Sequence, residues 1–259
     1  MNLKMKSKIQ HLIRNSNKLL FKKNIPDKIS FYFHEIKDND FNAIKNLILF
    51  FKDLDYTFST INNFNSKLNS NEKLVSLTFD DGFKSWLRLI DLFRKYDVKS
   101  TFFVNSVFFK DNDISRFMRN INIFDERKLL NLSQFQELIN AGHEIGAHTH
   151  SHYTLSNLSY DDFIKEDIEN YNFLKQYYDV KSFAIPYGMR RYVTKQQLDY
   201  LSSKYETICF GEAGMQFNNK KGYIQRHPWK SEKSFFYNIE NVSIDTSLFN
   251  GLTLRSGLG

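Results

Sequence analysis

The sequence is poor in cysteine and proline, with one cysteine and three prolines in 259 residues. A single cysteine cannot form an internal disulfide, so disulfide-held folds and cysteine-based zinc fingers are excluded. Cys209 lies in an apolar run and is predicted to pack in a strand. The chain also lacks a segment long enough to span a bilayer and the apolar stretch and cleavage site of a signal peptide. We therefore expect a cytoplasmic protein.

Bulky apolar residues are plentiful, because the chain contains 26 Phe and 14 Tyr and is 41% hydrophobic. Such a chain can bury a large core, and its length fits one α/β domain. The net charge of +7 favours anionic partners. No Arg-rich or Gly-rich aromatic block accompanies that charge, so nucleic acid is not an expected partner.

The first part of the chain, residues 1–27, mixes lysines with apolar residues and is predicted to be a basic amphipathic helical leader. Two interpretations remain open. The leader covers the core of the domain, or it lies peripherally on the anionic inner face of a membrane. A boundary near Pro26 leaves residues 28–259 as the main domain.

Within that domain, apolar runs of the buried-strand type alternate with segments of helical periodicity. This alternation predicts a parallel sheet in an α/β barrel of seven or eight units, with side chains that carry chemistry at the carboxyl ends of the strands. An Asn/Ser-rich stretch, 62–71, is predicted to be a loop. Strands are predicted over 29–33, 56–60, 74–79, 100–104, 144–147, 182–185, 207–210 and 223–226, and helices over 41–51, 85–96, 133–141, 160–178 and 194–204.

Two acidic residues, Asp80 and Asp81, follow the predicted strand 74–79 directly and precede Gly82. Adjacent side chains at a strand end point in different directions. One carboxylate can therefore bind a metal while the other acts on the attacking water. The alternative is an ordinary Asp-Asp-Gly turn.

Four of the seven histidines lie within ten positions, at 143, 148, 150 and 152. Imidazole is a preferred ligand for zinc and related divalent metals, so the cluster indicates a metal site. His148 and His152 are four residues apart, a spacing that fits a helical turn or a tight loop. The spacing alone leaves both open.

These motifs resemble those of the polysaccharide deacetylases, carbohydrate esterase family four. The first motif is similar to Leu77-Thr78-Phe79-Asp80-Asp81-Gly82, the second to His148-Thr149-His150-Ser151-His152, and the third to Phe183-Ala184-Ile185-Pro186-Tyr187-Gly188. The resemblance implies a distorted (β/α)7–8 barrel. It also implies that Asp81, His148 and His152 bind a divalent metal, with His150 between the two histidine ligands.

The same resemblance implies that Asp80 is the general base, and that the backbone N–H of Tyr187 helps to stabilise the oxyanion. Relatives often carry an Arg in the third motif, but this chain has Ala184 there. Arg226 is expected to supply the missing contact to the base. The general acid is unassigned: His227 and His34 are both candidates.

We therefore predict a metal-dependent carbohydrate N-deacetylase that acts on an N-acetylated sugar in a glycan or glycolipid biosynthetic intermediate. Zn²⁺ is the expected metal, and Co²⁺, Ni²⁺, Mn²⁺ or Fe²⁺ would fit the same ligands. Two alternatives remain: a glycan-binding barrel that has lost turnover, and an amidase or deformylase acting on a related substrate.

Overall fold

The structure is a computed structural model that describes residues 25–212, 219–240 and 242. Parallel strands form one sheet in this part of the chain. The strands are β1 (Lys28–Phe33), β2 (Thr57–Phe58), β3 (Leu74–Asp80), β4 (Thr101–Val104), β5 (Glu144–Ala147), β6 (Ser182–Ala184), β7 (Thr207–Phe210), β8 (Tyr223–Gln225) and β9 (His227–Pro228). The predicted strands are confirmed, with ends that shift by a few residues.

Helices connect most of these strands, as the alternating pattern predicts. The α-helices are α1 (Asp38–Lys52), α2 (Ile61–Ser66), α3 (Ile90–Lys95), α4 (Val107–Lys110), α5 (Ser115–Asn120), α6 (Leu132–Asn140), α7 (Tyr160–Leu174) and α8 (Lys195–Lys204). Short 3₁₀ helices cover Lys84–Leu89, Glu126–Lys128, Leu155–Asn157 and Arg190–Tyr192. The predicted helix 85–96 is thus a 3₁₀ turn followed by an α-helix, and the predicted helix 160–178 ends at Leu174.

The strand order is β8-β7-β6-β5-β4-β3-β1-β9, with β2 beside β3. Strands β8 and β9 are separated only by Arg226, yet β8 pairs with β7 and β9 pairs with β1. One short segment therefore touches both ends of the sheet and joins them. The result is the distorted (β/α) barrel that the resemblance implied.

Aromatic side chains fill the space between the sheet and its helices. Every residue of β3 is buried, and Phe79 of this strand stacks on Phe102 of β4 with ring centroids 4.9 Å apart. On β1, Phe31 faces outward against Phe51 of α1. Because side chains alternate along a strand, Tyr32 and His34 face the opposite way from Phe31. This places them at the carboxyl end of the barrel.

The prediction of a loop over 62–71 is partly wrong, because Ile61–Ser66 forms α2. Burial of Ile61 and Phe64 on one face, together with hydrogen bonds from asparagine side chains, favours the helix. The predicted leader, 1–27, lies outside the described residues except for 25–27. Among the residues described, no helix has both the length and the apolar character needed to cross a bilayer.

Candidate active site

A pocket of about 400 Å³ opens at the carboxyl ends of the strands. It brings together seven of the eight residues that sequence analysis assigned to the site. These are His34, Asp80, Asp81, His148, His152, Tyr187 and Arg226, and the remaining lining residues are Tyr32, Asn120, Ile121, Asn122, Gly188, Met189 and Tyr192. Residues far apart in sequence meet here because parallel strands end at the same edge of a barrel.

The eighth residue, His227, is not part of the pocket lining. It is the register partner of Phe31 in the pairing of β9 with β1. The two rings lie 6.0 Å apart, on the outward side of the barrel. Burial lowers the pKa of His227 to about 4. Because Arg226 faces the pocket, its strand neighbour faces away from it.

The three residues predicted to bind a metal converge at the base of the pocket. Their ligand atoms lie within 4.8 Å of one another, and all three side chains are buried. Oδ1 of Asp81 is 3.4 Å from Nε2 of His148 and 3.3 Å from Nε2 of His152. Among the described residues, this Oδ1 atom has no hydrogen-bond partner. A buried carboxylate oxygen without a partner is costly unless a cation or a proton compensates it.

The protonation states of these groups suit a cation. Nδ1 of His148 lies 2.8 Å from the carbonyl oxygen of Ala184. We assign the proton to this nitrogen, which leaves the Nε2 lone pair facing Asp81. Burial lowers the pKa of His152 to about 4, so its imidazole is neutral at neutral pH. Burial alone would raise the pKa of Asp81, but the neighbouring histidines outweigh it and hold the pKa below its ordinary value.

This donor set therefore fits a divalent metal. Two imidazole nitrogens and one carboxylate are donors that zinc accepts readily, and a catalytic zinc site has three such ligands. The Asp81 oxygen without a hydrogen-bond partner points to the same conclusion, since it is the atom that faces both histidine nitrogens. Cobalt, nickel, manganese and iron would accept the same donors.

The backbone around these ligands adopts conformations that most residues avoid. Asp81, Thr149, His152 and Tyr187 all have positive φ angles, of 88°, 65°, 56° and 61°. Each such residue costs roughly 1–3 kcal/mol and persists only where surrounding contacts impose it. The clustering of these conformations at one pocket supports a functional role for the pocket.

Two buried asparagines hold the histidine loop in this conformation, and sequence analysis did not identify them. Asn170 of α7 accepts a hydrogen bond from the backbone N–H of His148 and donates to the carbonyl of Val104. Asn105, which follows β4, donates to the carbonyl oxygen of Thr149. Asparagine in a helix or after a strand carries no distinctive sequence signal, so only the fold reveals these contacts.

Asp80 and Arg226 form a buried bidentate ion pair. Nη1 and Nη2 of the guanidinium lie 2.7 and 2.8 Å from the two carboxylate oxygens. Arg226 also donates to Thr78 and stacks on the ring of Tyr32, 5.0 Å from its centroid. The orientation of the Asp80 carboxylate is therefore fixed by two parallel hydrogen bonds.

Tyr187 lies in the turn after β6, with its ring 4.7 Å from the ring of His152. Its hydroxyl donates to the carbonyl of Asn120. The neighbouring amides of Ile185 and Gly188 donate to backbone carbonyls, whereas the Tyr187 amide donates to none of the described carbonyls. On the other side of the pocket, the exposed ring of His34 packs edge-on against Tyr32, with centroids 5.5 Å apart.

Comparison with known proteins identifies the family of this chain. The family model for polysaccharide deacetylases matches residues 67–205, more than half of the chain. No curated protein matches the sequence.

Several solved structures share the fold. The deacetylase PplD of Streptococcus pyogenes, in complex with acetate, has a TM-score of 0.67 at 18% identity, covering 83% of this chain and 97% of that chain. A de-N-acetylase from Aggregatibacter actinomycetemcomitans has a TM-score of 0.66 at 16% identity, covering 83% and 99%. The deacetylase domain of BpsB from Bordetella bronchiseptica has a TM-score of 0.61 at 13% identity, covering 79% and 97%.

Proposed function

The chain belongs to the polysaccharide deacetylase family, and on that premise we propose that it is a metal-dependent hydrolase that removes an N-acetyl group from an amino sugar. One observation carries the proposal. A buried Asp81, His148 and His152 cluster and a second carboxylate, Asp80, line the same pocket. A metal site beside a fixed carboxylate is an arrangement that supports amide hydrolysis, since the metal polarises the carbonyl and the carboxylate takes a proton from the attacking water.

Asp81, His148 and His152 would hold the divalent cation. When bound, this cation supplies positive charge that polarises the amide carbonyl and makes a nearby water more acidic. Zn²⁺ is the metal we propose, since its donor preferences match two imidazoles and a carboxylate.

Asp80 acts as the general base. As water attacks the carbonyl carbon of the acetamido group, a carboxylate oxygen of Asp80 takes the proton that the water loses. The two hydrogen bonds from Arg226 hold that carboxylate in one orientation. The negative charge that develops on the former carbonyl oxygen is stabilised by the backbone N–H of Tyr187.

The leaving nitrogen needs a proton when the carbon–nitrogen bond breaks. His34 lines the pocket, whereas His227 packs outside it against Phe31. We therefore propose that His34 donates this proton, which leaves acetate and a free amino group as products. His227 is not proposed as the acid.

The substrate we propose is a lipid-linked or nucleotide-linked sugar, or a nascent glycan. The net charge of +7 suits a substrate that carries phosphate. The cytoplasmic location, and contact of residues 1–27 with a membrane, remain predictions from the sequence.

Acetate release from a panel of N-acetylhexosamine conjugates tests the function. Wild-type protein loaded with Zn²⁺ should release acetate from at least one conjugate, and Asp80→Asn should reduce this by at least about 10²-fold. Asp91→Asn is the matched control, because Asp91 is an exposed helical carboxylate that should be dispensable. Binding of a conjugate without acetate release would instead identify a glycan-binding barrel, and release of formate or another acid would identify a related amidase.

A further inference from the structure

The wall of the pocket includes a residue with an unusual backbone conformation and an unused side chain. Asn122 lies in the connection between β4 and β5, is exposed to solvent and lines the pocket. Its φ angle is 55°, in the left-handed region. Within the described residues, the side-chain amide of Asn122 has no hydrogen-bond partner.

The backbone conformation of Asn122 has a structural cause. It follows helix α5, and the amides of Asn122 and Ile123 donate to the carbonyls of Arg119 and Met118 at 3.2 and 2.8 Å. These two bonds form a Schellman motif, in which the residue after the helix cap takes the left-handed conformation. The backbone of residue 122, and not its side chain, makes this cap.

The same cap recurs at three other helix ends, at Asp55, Asp97 and Gly142. At Gly142 the position is filled by glycine, the residue that adopts this conformation at least cost. An asparagine is therefore not required for the cap at 122. The cap explains the φ angle of Asn122. It does not explain why the side chain at this position, beside the pocket, carries an amide group.

The wall that carries Asn122 is fixed to both functional loops. The side chain of Asn120 donates to the carbonyl of Ser151, next to His152, at 3.1 Å. The hydroxyl of Tyr187 donates to the carbonyl of Asn120 at 3.2 Å. Ile123 is buried on the other side of Asn122. The backbone that carries this amide is therefore fixed beside the pocket before a substrate arrives, which reduces the entropy cost of binding.

We propose that the side chain of Asn122 binds a hydroxyl group of the sugar and helps to select the substrate. An amide offers a donor and an acceptor, and a sugar hydroxyl needs both. The proposal rests on the deacetylase function proposed above. Asn122 is then a substrate-binding residue, whose removal weakens substrate binding and leaves the rate of the chemical step unchanged.

The test compares Asn122→Gly with wild type on an N-acetylglucosamine tetrasaccharide, by acetate release. Glycine keeps the left-handed cap and removes only the amide. We expect KM to rise about 3- to 10-fold, the usual net value of one or two neutral hydrogen bonds, with kcat changed less than about 2-fold. Asp97→Gly is the matched control, because it makes the same kind of change in the same cap outside the pocket. Its KM should equal that of wild type.

Deoxygenated substrates separate binding from a structural effect. Among the 3-deoxy, 4-deoxy and 6-deoxy analogues, one should bind Asn122→Gly and wild type equally, because the contacted hydroxyl is then already absent. Asn122→Asp, which retains the acceptor and the conformational preference, should show an intermediate KM. An unchanged KM in Asn122→Gly, or an equal loss with every analogue, would overturn the proposal. Absence of acetate release by wild type from this tetrasaccharide and from every conjugate of the panel would overturn the proposed function instead.

Discussion

Removal of the guanidinium beside Asp80 should destabilise the folded protein severely. Arg226 is 1% exposed and Asp80 is 4% exposed, and two hydrogen bonds of 2.7 and 2.8 Å join them. In Arg226→Met, the Asp80 carboxylate would stay buried without its counter-ion. The neighbouring polar groups offer little replacement, because Thr78, which accepts a hydrogen bond from Arg226, is a neutral hydroxyl that already donates to the carbonyl of Phe31.

The expected loss is about 3–5 kcal/mol of unfolding free energy, the usual cost of breaking a buried ion pair from one side. A domain of ordinary stability has about 5–15 kcal/mol in total, so the variant should be folded but fragile. Arg226→Lys should fall between wild type and Arg226→Met. An ammonium restores the charge but cannot make two parallel hydrogen bonds to one carboxylate.

A double-mutant cycle in urea measures this. Arg226→Met, Asp80→Asn and the double variant are unfolded under the same conditions. The loss of unfolding free energy in the double variant should be smaller than the sum of the two single losses by about 1.5–3 kcal/mol. The exposed pair of Arg94 and Asp91 is the matched control. It has a similar distance of 2.7 Å, but its side chains are 70% and 91% exposed. Arg94→Met should therefore cost less than about 1 kcal/mol.

An unfolding free energy of Arg226→Met within about 1 kcal/mol of the wild-type value, or single losses that simply add, would contradict this prediction. Either result would mean that water or a rearranged neighbouring side chain compensates the negative charge of the Asp80 carboxylate. The pair would then not be the element that orients Asp80. A loss in Arg94→Met as large as that in Arg226→Met would show that removal of any arginine has this effect, and that burial is not its cause.

Three further predictions follow from the packing and charge of the site and core. In thermal unfolding, Zn²⁺ at a concentration about 100 times its dissociation constant should raise the unfolding free energy of wild type by about 3 kcal/mol. His152→Ala lacks one of the three metal donors and should not be stabilised by Zn²⁺. Burial lowers the pKa of His143 to about 4, so the unfolded chain takes up a proton from about pH 6.5 downward while the folded chain does not. Stability from this group should therefore be lost as the pH falls, by up to about 3 kcal/mol, and unfolding of His143→Gln should depend less on pH. In Gly146→Ala the new Cβ would lie 2.4 Å from the ring of Phe103, so urea unfolding should reveal a loss of about 1–3 kcal/mol.

Much of the barrel can be predicted from the sequence because its signals are local. A strand such as β3 is a short, mainly apolar run that leads into Asp80 and Asp81, and each segment can be assigned without knowledge of its neighbours. The Asn-rich segment shows the limit. Asn62 and Asn65 favour a loop by composition, but their side chains bond to Thr207, Glu206 and Gly222, which are far away in sequence. Those contacts stabilise a helix that local propensity does not predict.

His227, one of the two candidates for the general acid, illustrates a different limit. His227 and Arg226 are adjacent, and the sequence leaves open which of them faces the pocket. The answer depends on the pairing of β9 with β1, which puts His227 beside Phe31 on the outer face. A shift of one residue in that pairing would exchange the two side chains.

The alternating strands and helices, and the candidate groups Asp80, Asp81, His148 and His152, can be recognised from the sequence alone, because strand periodicity and clustered ligands are properties of nearby residues. The orientation of these groups and the contacts that support them depend on the folded barrel. Closure of the barrel through Tyr223–Pro228 carries Arg226 to Asp80, and buried asparagines far along the chain hold the histidine loop. Such contacts depend on the register of paired strands, which is set by the packing of the whole barrel and not by any local run of residues.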